Sequence, residues 1–381
     1  MRIRPDFLVS ALFACLLGLS SPVSAKPYTV WLGTFGRGAE QGIHRATLDP
    51  ETGKLSPPAK AADLSGAGFL AIAPDGKHFY ATTDAKDADG KRTGGVAALR
   101  RKEDGALEVM NVQPTGGGVC HVSVHPSGKC LFAANYGGGS VVSFPIKEDG
   151  SLGPRASFIQ NEGKGPNASR QEGPHAHSIT TLPGGRFAAA PDLGIDKVMI
   201  YEINTATAAL TPHNFAATRP GSGPRHLAVA PDGKTVFVVG ELDQSVSTFT
   251  WDAEKGALTT ASVAEGRPAG WEAKDLTSAE VRVRPDARFV YSSTRDLSDQ
   301  RRDFLTVFRL GQGGVLTPIQ HQKAVVGFPR NFNITPDGRW IVAGGERSNT
   351  LQVFSVEAAT GQLAPVGEPV ACPSPVCVVF E

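Results

Sequence analysis

A hairpin pattern that recurs about every 50 residues constrains this chain more than any other feature of its sequence. Each copy has an apolar strand, a turn with Pro and usually Gly, and a second apolar strand, as in HLAVAPDGKTVFVVGEL. The turn prolines are Pro74, Pro126, Pro183, Pro231, Pro285 and Pro336, which lie 52, 57, 48, 54 and 51 residues apart. A fixed period of this length indicates a repeat architecture, so separate domains are not expected.

Each hairpin is followed by two more short strands, which makes four strands per repeat. The third strand reads SVVSFPI, KVMIYEI, SVSTFTW, FLTVFRL or TLQVFSV, and a turn such as EDGSL or EKGAL leads to the fourth. Alternating apolar residues with turn signals at intervals of roughly 8 to 12 residues predict antiparallel sheet. Repeats of four strands predict the blades of a propeller.

The two ends of the chain complete the blade count. The C-terminal PSPVCVVFE has the pattern of a first strand, and YTVWLGTF, GIHRATLD and KLSPPAK near the N-terminus have the patterns of second, third and fourth strands. The predicted fold is therefore all-β, a seven-bladed β-propeller with four antiparallel strands per blade, in which strands from both termini close the ring. A closed ring needs no partner chain, so a monomer is expected.

The first 25 residues differ from the rest and are predicted to be a secretory signal peptide. The basic start MRIR precedes the apolar run FLVSALFACLLGL, and Val23-Ser24-Ala25 is a small-residue cleavage pattern before Lys26. The run is shorter than the about 20 residues of a membrane span, and the lipoprotein-like box Leu12-Phe13-Ala14-Cys15 contains a bulky Phe13. We therefore expect cleavage after Ala25, a single domain over 26–381 and a periplasmic or secreted protein.

Charge and cysteine content narrow the classes of partner. Removal of Arg2, Arg4 and Asp6 with the leader leaves 36 basic and 36 acidic residues, from 38 and 37 in the whole chain. This balance argues against nucleic acid or an anionic membrane surface as the main partner. Four cysteines remain; an oxidising compartment would permit the disulfides Cys372–Cys377 or Cys120–Cys130, and free thiols are equally compatible. Their spacing does not indicate a zinc site.

Polar side chains concentrate at two positions of the repeat. The first strand of a blade lines the central channel, so its start and the end of the second strand lie at the same mouth. Six residues before the turn prolines stand Gly68, Cys120, His177, Arg225, Ala279 and Arg330, and nine or ten residues after them stand Asp84, Asn135, Asp192, Glu241, Arg295 and Glu346. The polar rim that propellers generally have would explain one such residue by itself. Taken together, the set predicts a site with His177, Arg225, Glu241 and Arg295 as catalytic residues and His175, His226, Arg330, Asn135 and Asp192 as substrate-binding residues.

These residue types suit the opening or closing of a lactone. Arginine offers fixed paired donors for a carboxylate, a phosphate or a developing oxyanion, while histidine and glutamate transfer protons or activate water. Lactone chemistry needs both functions, because a tetrahedral oxyanion forms and a proton moves. One alternative is a calcium site with oxygen ligands from Asn135, Asp192 and Glu241. Another is a transition metal on His175 and His177.

The stretches GPHAHSITTLPGGRFAAAPDLGIDKVMIYEI and GPRHLAVAPDGKTVFVVGEL resemble the seven-bladed lactonase family, which contains the propeller-type 6-phosphogluconolactonases and the fungal 3-carboxy-cis,cis-muconate lactonizing enzyme. The resemblance runs from YTVWLGTF to VCVVF. It implies an active site of His177, Arg225, Glu241 and Arg295, with Arg330 as a competitor for the last position. It also implies hydrolysis or formation of a lactone with no required metal or other cofactor.

The expected function is a metal-independent lactone hydrolase that acts on 6-phosphogluconolactone or an exported analogue. Glu241 or His177 would activate water, and Arg225 and Arg295 would hold the substrate anion and stabilise the oxyanion. The secretory leader is out of place for a cytosolic sugar-phosphate enzyme and favours an exported sugar lactone or related cyclic ester. The alternatives are a non-catalytic exported propeller that binds a small ligand or a protein, and a muconate-type lactonizing enzyme, which is a cycloisomerase.

Overall fold

The computed structural model describes residues 26–298 and 300–381, so the expected leader lies outside the described residues. Strands dominate this part of the chain, together with two short 3-10 helices at Gly38–Glu40 and Gln312–Gly314. In chain order the strands are β1 Tyr28–Thr34, β2 Ile43–Leu48, β3 Ala59–Ala62, β4 Leu70–Ile72, β5 His78–Lys86, β6 Arg92–Arg101, β7 Leu107–Pro114, β8 Gly118–Val124, β9 Cys130–Gly137, β10 Ser140–Pro145, β11 Ser157–Gln160, β12 Thr180–Thr181, β13 Phe187–Asp192, β14 Lys197–Asn204, β15 Ala209–Ala217, β16 Pro224–Val229, β17 Thr235–Gly240, β18 Ser245–Asp252, β19 Ala257–Glu265, β20 Leu276–Val283, β21 Phe289–Asp296, β22 Phe304–Leu310, β23 Leu316–Lys323, β24 Pro329–Ile334, β25 Trp340–Gly345, β26 Thr350–Val356, β27 Leu363–Ala371 and β28 Pro375–Phe380.

The described strands form seven four-stranded antiparallel sheets, which are the blades of the ring. Blade 1 has the order β28-β1-β2-β3, and blades 2 to 7 are the consecutive groups β4–β7, β8–β11, β12–β15, β16–β19, β20–β23 and β24–β27. The predicted all-β seven-bladed propeller is confirmed.

Strands from the two ends of the chain pair in blade 1 and close the ring. β28 runs antiparallel to β1, from Val30 opposite Phe380 to Gly33 opposite Cys377. One detail of the prediction was wrong, because the fourth strand of this blade begins at Ala59 and not at Lys54. The segment between them contains Pro57 and Pro58, which have no backbone N–H to donate to a neighbouring strand.

Local bonds explain the hairpin turns, and apolar contacts join the blades. In the turn of 231–234, Oδ1 of Asp232 accepts hydrogen bonds from the backbone N–H groups of Lys234 and Thr235 at 2.8 and 2.9 Å. Such Asx bonds need only a local sequence, which is why the turn recurs. Between blades, buried side chains of neighbouring sheets share clusters, as Phe237 of β17 does with Val281 of β20.

The four cysteines of the described residues are free thiols, so neither of the possible disulfides forms. Cys377 and Cys372 are both buried, but Cys377 belongs to the hydrophobic cluster between blades 1 and 2 and Cys372 to the cluster between blades 7 and 1. Cys130 is buried in the core, whereas Cys120 lies beside His177. Within the described ranges, no helix is long and apolar enough to cross a membrane.

Candidate active site

Blades 5 and 6 bring three of the predicted catalytic residues to one mouth of the channel. Arg225 is the second residue of β16, Glu241 directly follows β17, and Arg295 lies near the end of β21. Pro224 pairs with Gly240, which places Arg225 and Glu241 at the same end of blade 5. The backbone N–H of Ser278 in blade 6 donates to the carbonyl of Glu241 at 2.9 Å and fixes the two blades to each other there.

Glu241 is the centre of a buried ion cluster. Its Oε2 lies 2.9 Å from Nε of Arg225 and 3.2 Å from Nη2 of Arg295. Its Oε1 accepts a hydrogen bond of 2.6 Å from Nη2 of Arg170. Arg225, Arg295 and Glu241 are only 2, 3 and 4% exposed. One carboxylate thus faces three guanidinium groups, and the resulting net positive charge suits an anionic ligand or a developing oxyanion.

The charges of this cluster depend on one another. Burial raises the pKa of Glu241, but the charges of Arg295, Arg225 and Arg170 outweigh burial and hold that pKa at about 2. Glu241 is therefore ionised at neutral pH and a weak proton acceptor. Burial lowers the pKa of Arg225 and of Arg295, yet a guanidinium keeps its proton in proteins. Loss of Glu241, the single carboxylate of the cluster, would leave buried guanidinium charge uncompensated, which costs roughly 3–5 kcal/mol.

His177 joins the cluster from the segment that precedes β12 in blade 4. Its Nε2 lies 4.0 Å from Oε2 of Glu241, and its Nδ1 lies 3.8 Å from Sγ of Cys120. Burial, followed by the charge of Arg225, lowers the pKa of His177 well below its usual value. The ring is therefore neutral at pH 7 and can donate or accept one proton.

A cavity of about 60 Å³ lies beside the cluster and is lined by Arg225, His177 and Arg330, among others. Nη1 of Arg330 also donates to Oε2 of Glu346 at 3.2 Å, and its guanidinium lies 5.6 Å from the ring centre of Phe35. The two arginines that competed for one catalytic position thus both lie at the site. Arg295 contacts Glu241 directly, whereas Arg330 faces the cavity.

Asp192 and His175 hold the segment that carries His177. Oδ1 of Asp192 accepts hydrogen bonds from the backbone N–H groups of His175 and Gly194 at 2.6 and 3.0 Å. The ring of His175 stacks on Tyr136 with centres 4.6 Å apart, and its Nδ1 lies 3.0 Å from the carbonyl of Tyr136. Both side chains are engaged in local structure, and substrate contact by them stays a prediction.

The side chains do not fit the alternative metal sites. Asn135 is fully buried in β9, where its Nδ2 donates to Oγ of Ser140 at 2.9 Å, and Asp192 accepts from backbone donors. Both oxygens of Glu241 face guanidinium groups, whose charge repels a cation. Among the described residues, no three His, Cys, Asp or Glu side chains are grouped to hold a metal ion.

Sequence reasoning missed Arg170, which completes the ion cluster. It lies in an irregular segment between β11 and β12, outside the repeat positions, and its Nη2 also donates to the hydroxyl of Tyr136 at 3.2 Å. The segment falls in the longest interval between turn prolines, the 57 residues from Pro126 to Pro183. That excess length was the available signal.

Sequence reasoning also missed Glu280, which follows the channel position Ala279 in β20. Its Oε2 lies 2.9 Å from Nδ1 of His226, a predicted substrate-binding residue. His226 lines the 60 Å³ cavity, and its ring centre lies 5.3 Å from that of His177. A repeat position marks the mouth of the channel but does not report which neighbouring side chain points into it.

Comparison with known proteins agrees with this fold. The model of the lactonase, 7-bladed beta-propeller family matches residues 29–380. A Bacillus subtilis protein named 6-phosphogluconolactonase is 34% identical over 357 residues, which cover 93% of this chain and 98% of that protein. The solved structure of a Pseudomonas aeruginosa periplasmic gluconolactonase has a TM-score of 0.84 and 27% identity, covering 93% of this chain and 99% of that one. The solved structure of a Lactobacillus plantarum protein has a TM-score of 0.84 and 28% identity, covering 93% of this chain and 100% of that one.

Fold and site together define a seven-bladed propeller with a buried, arginine-rich cluster at one mouth of its channel. The chain belongs to the seven-bladed β-propeller lactonase family. The family that the sequence resembled is confirmed, and so is the expected enzyme class, a lactone hydrolase.

Proposed function

We propose that this protein is an exported enzyme that hydrolyses a sugar lactone at this mouth of the propeller without a metal ion. The observation that carries the proposal is the buried set of Arg225, Arg295 and Arg170 around Glu241, next to the cavity that His177 lines. The names of similar proteins support the substrate class, since one is called 6-phosphogluconolactonase and another periplasmic gluconolactonase.

The arginines supply the electrostatic part of the reaction. Addition of water to the lactone carbonyl places negative charge on the carbonyl oxygen, and donors fixed beforehand in a buried site stabilise that charge. Arg225 and Arg330 line the cavity and offer such donors. With a pKa of about 2, Glu241 is suited to hold the arginine side chains in place and poorly suited to accept a proton. The base is therefore a histidine.

The size of the cavity suggests how a substrate would lie. About 60 Å³ accommodates a carbonyl group and a water molecule but not a whole sugar ring. The rest of the lactone would extend towards Phe35, which is 43% exposed beside Arg330, and Phe328, whose ring centre lies 4.9 Å from Cζ of Arg295. Aromatic side chains of this kind commonly line ligand pockets.

Export follows from the predicted leader at 1–25, which lies outside the described residues. The protein purified from the periplasm or the medium should begin at Lys26 and behave as a single chain in light scattering. A protein that keeps Met1 and stays in the cytoplasm would contradict export.

Lactone hydrolysis is tested with the purified protein on glucono-δ-lactone and 6-phosphogluconolactone, with and without a chelator. We expect turnover of at least one substrate that the chelator does not reduce. Glu241→Gln and Arg225→Ala should each lower kcat/KM by roughly 10²-fold or more, because each disturbs the donors around the oxyanion. The matched control is Glu202→Gln, which alters an exposed pair with Arg186 and should leave activity unchanged.

Three outcomes would contradict parts of the proposal. Undiminished turnover in both variants would contradict the site. Loss of activity with the chelator, restored by calcium, would contradict metal independence. Ligand binding without turnover of any lactone would identify a non-catalytic propeller, and conversion of a muconate-type acid into its lactone would identify a cycloisomerase.

A further inference from the structure

A second buried carboxylate holds His226 on the channel side of the site. Nδ1 of His226 lies 2.9 Å from Oε2 of Glu280, and Nδ2 of Asn331 donates to the same oxygen. Nη2 of Arg282 lies 3.5 Å from that oxygen, and the backbone N–H of Val281 donates to Oε1 at 3.1 Å. Glu280 is 1% exposed. These contacts fix the carboxylate and, through it, the His226 ring.

This arrangement decides where the His226 ring carries its proton. An ionised carboxylate only accepts hydrogen bonds, so Nδ1 carries the proton and Nε2 keeps a lone pair. Within the described part of the chain, Nε2 is buried and has no hydrogen-bond partner. His226 lines the 60 Å³ cavity together with Arg225 and Arg330. A proton acceptor is therefore placed beside the oxyanion donors.

His177, the other histidine on this cavity, has the opposite environment. Its Nε2 lies 4.0 Å from a carboxylate oxygen of Glu241, which favours a proton on Nε2. Its Nδ1 has Sγ of Cys120 at 3.8 Å in place of a carboxylate. His177 is thus suited to donate a hydrogen bond, and His226 is suited to accept a proton.

The channel offers a route for water to His226. A second cavity, of about 400 Å³, lies against the same ring; its lining includes the polar side chains of Ser178, Thr180, Thr181 and Glu280 as well as apolar residues of β16 and β20. His226 lines both cavities. Water in this second cavity would reach the His226 ring without passing the substrate at the mouth.

We propose that His226 is the general base of this active site, that Glu280 positions it, and that the water it activates arrives through the channel. The inference rests on the proposed lactone hydrolysis and adds the residue that moves the proton. Glu280 touches no reacting atom, so it is a positioning residue.

The chemical step balances with these groups alone. Nε2 of His226 takes a proton from water as the water oxygen bonds to the lactone carbonyl carbon, and the carbonyl π pair moves onto the oxygen beside Arg225. The oxyanion then re-forms the carbonyl and the ring C–O bond breaks. The leaving alkoxide takes the proton from Nε2. One lactone and one water give one hydroxy acid, and His226 is neutral again.

The pH profile gives a readout that a purely structural role would not produce. Burial lowers the pKa of His226 and the charge of Glu280 raises it, with a result of about 4. The other charged and titratable groups around the ring are Arg225, Arg282, His121 and His177. A protonated base cannot accept a proton, so kcat/KM should fall as the pH drops through about 4. Glu241, with a pKa of about 2, cannot produce that limb.

The experiment compares wild type with His226→Gln, Glu280→Gln and the control His44→Gln, with thermal unfolding of each. His44 is also a buried histidine, 5% exposed, but it lies in β2 of blade 1 and lines neither cavity, so its variant reports the loss of a buried imidazole away from the site. We expect His226→Gln to lower kcat roughly 10²- to 10⁴-fold with little change in KM. Glu280→Gln should lower kcat less and move the acid limb to lower pH, because the charge that raises the His226 pKa is gone. The control should stay within about twofold.

The outcomes separate this inference from the proposed function. An active wild type whose folded His226→Gln variant keeps its kcat, or whose profile has no acid limb near pH 4, overturns the role of His226 and leaves lactone hydrolysis intact. A wild type without lactonase activity overturns the proposed function itself. If His226→Gln does not fold, the position of the acid limb in Glu280→Gln decides, because an unshifted limb would overturn the role of His226.

Discussion

Arg225 illustrates how one side chain can oppose stability and serve function. It is among the largest fully buried side chains, its Nη1 donates to the carbonyl of Ala279, and its Nε faces Glu241. Apolar residues of similar volume often fill such a position with equal or better stability, because burial of a charge pair costs desolvation. A buried arginine pair at the channel mouth is therefore best understood through the anion that it can bind.

Arg170 allows a test of the ion cluster with little risk to the fold. Glu241 keeps Arg225 and Arg295 when Arg170→Met removes its third partner, so the variant should fold. Loss of one charge-assisted hydrogen bond should lower kcat/KM roughly tenfold or more. Steady-state kinetics against Arg186→Met, which breaks the exposed pair with Glu202, gives the comparison. Equal activity of the two variants would show that Arg170 has no role at the site.

The hairpin β16–β17 explains why positions in the repeat predicted a site. Antiparallel pairing brings the start of one strand next to the end of the other, so Arg225 and Glu241, 16 positions apart, meet at one end. Antiparallel pairing also closes the ring, where β28 at one end of the chain pairs with β1 at the other. The carbonyl of Val378 in β28 accepts a further hydrogen bond of 3.0 Å from Nδ2 of Asn333 in blade 7.

The closing strand gives a prediction for stability. Val378 is fully buried, whereas its neighbour Val379 points to the other face and is partly buried. Val378→Ala should lower the free energy of unfolding by about 2 kcal/mol through lost burial and a residual cavity. Val379→Ala, the matched control, should cost clearly less. Urea unfolding measures both, and an equal cost would mean that the buried face of β28 does not hold the ring closed.

The strands of blade 4 show which features could not be predicted from the sequence. Alternation and turn residues gave strand pairs, since both signals are local. The hairpin SITTLPGGRFAAAPDL predicts a first strand of blade 4 from Ser178, but only Thr180–Thr181 form β12, with an isolated bridge between Ala176 and Asp192. The irregular segment before β12 places Arg170 in contact with Glu241, which lies 71 positions further along the chain. No periodic pattern encodes such a contact.

The ring as a whole buries several titratable groups, among them His226, Glu241 and Glu280, and this makes the fold sensitive to acid. An unfolded histidine takes up a proton near pH 6.5, but His226 in the fold does so near 4. Between these values the unfolded state binds more protons, so stability falls as the pH drops. Glu241 and Glu280 have pKa values of about 2 against 4.5 when unfolded. They add stability above pH 4.5 that is lost as the pH falls towards 2.

Thermal unfolding across pH tests this expectation for the whole molecule. The Tm should be highest near neutral pH and should fall by several degrees from about pH 6.5 to 4, and further towards pH 2. The fall above pH 4.5 should be smaller in His226→Gln, which lacks one of the buried histidines. A constant Tm between pH 7 and 4 would contradict the placement of neutral histidines in the interior.

The sequence by itself determined the repeat, the seven blades, their closure by both termini and the meeting of His177, Arg225, Glu241 and Arg295 at one mouth of the channel. These follow from local alternation, from turn chemistry and from fixed positions in a period. Only the tertiary structure decided that Arg170 completes the cluster, that Glu280 holds His226 and that the cysteines stay apart. The physical reason is that such contacts depend on the path of the whole chain, which sets side chains far apart in sequence against each other in a buried, water-poor space.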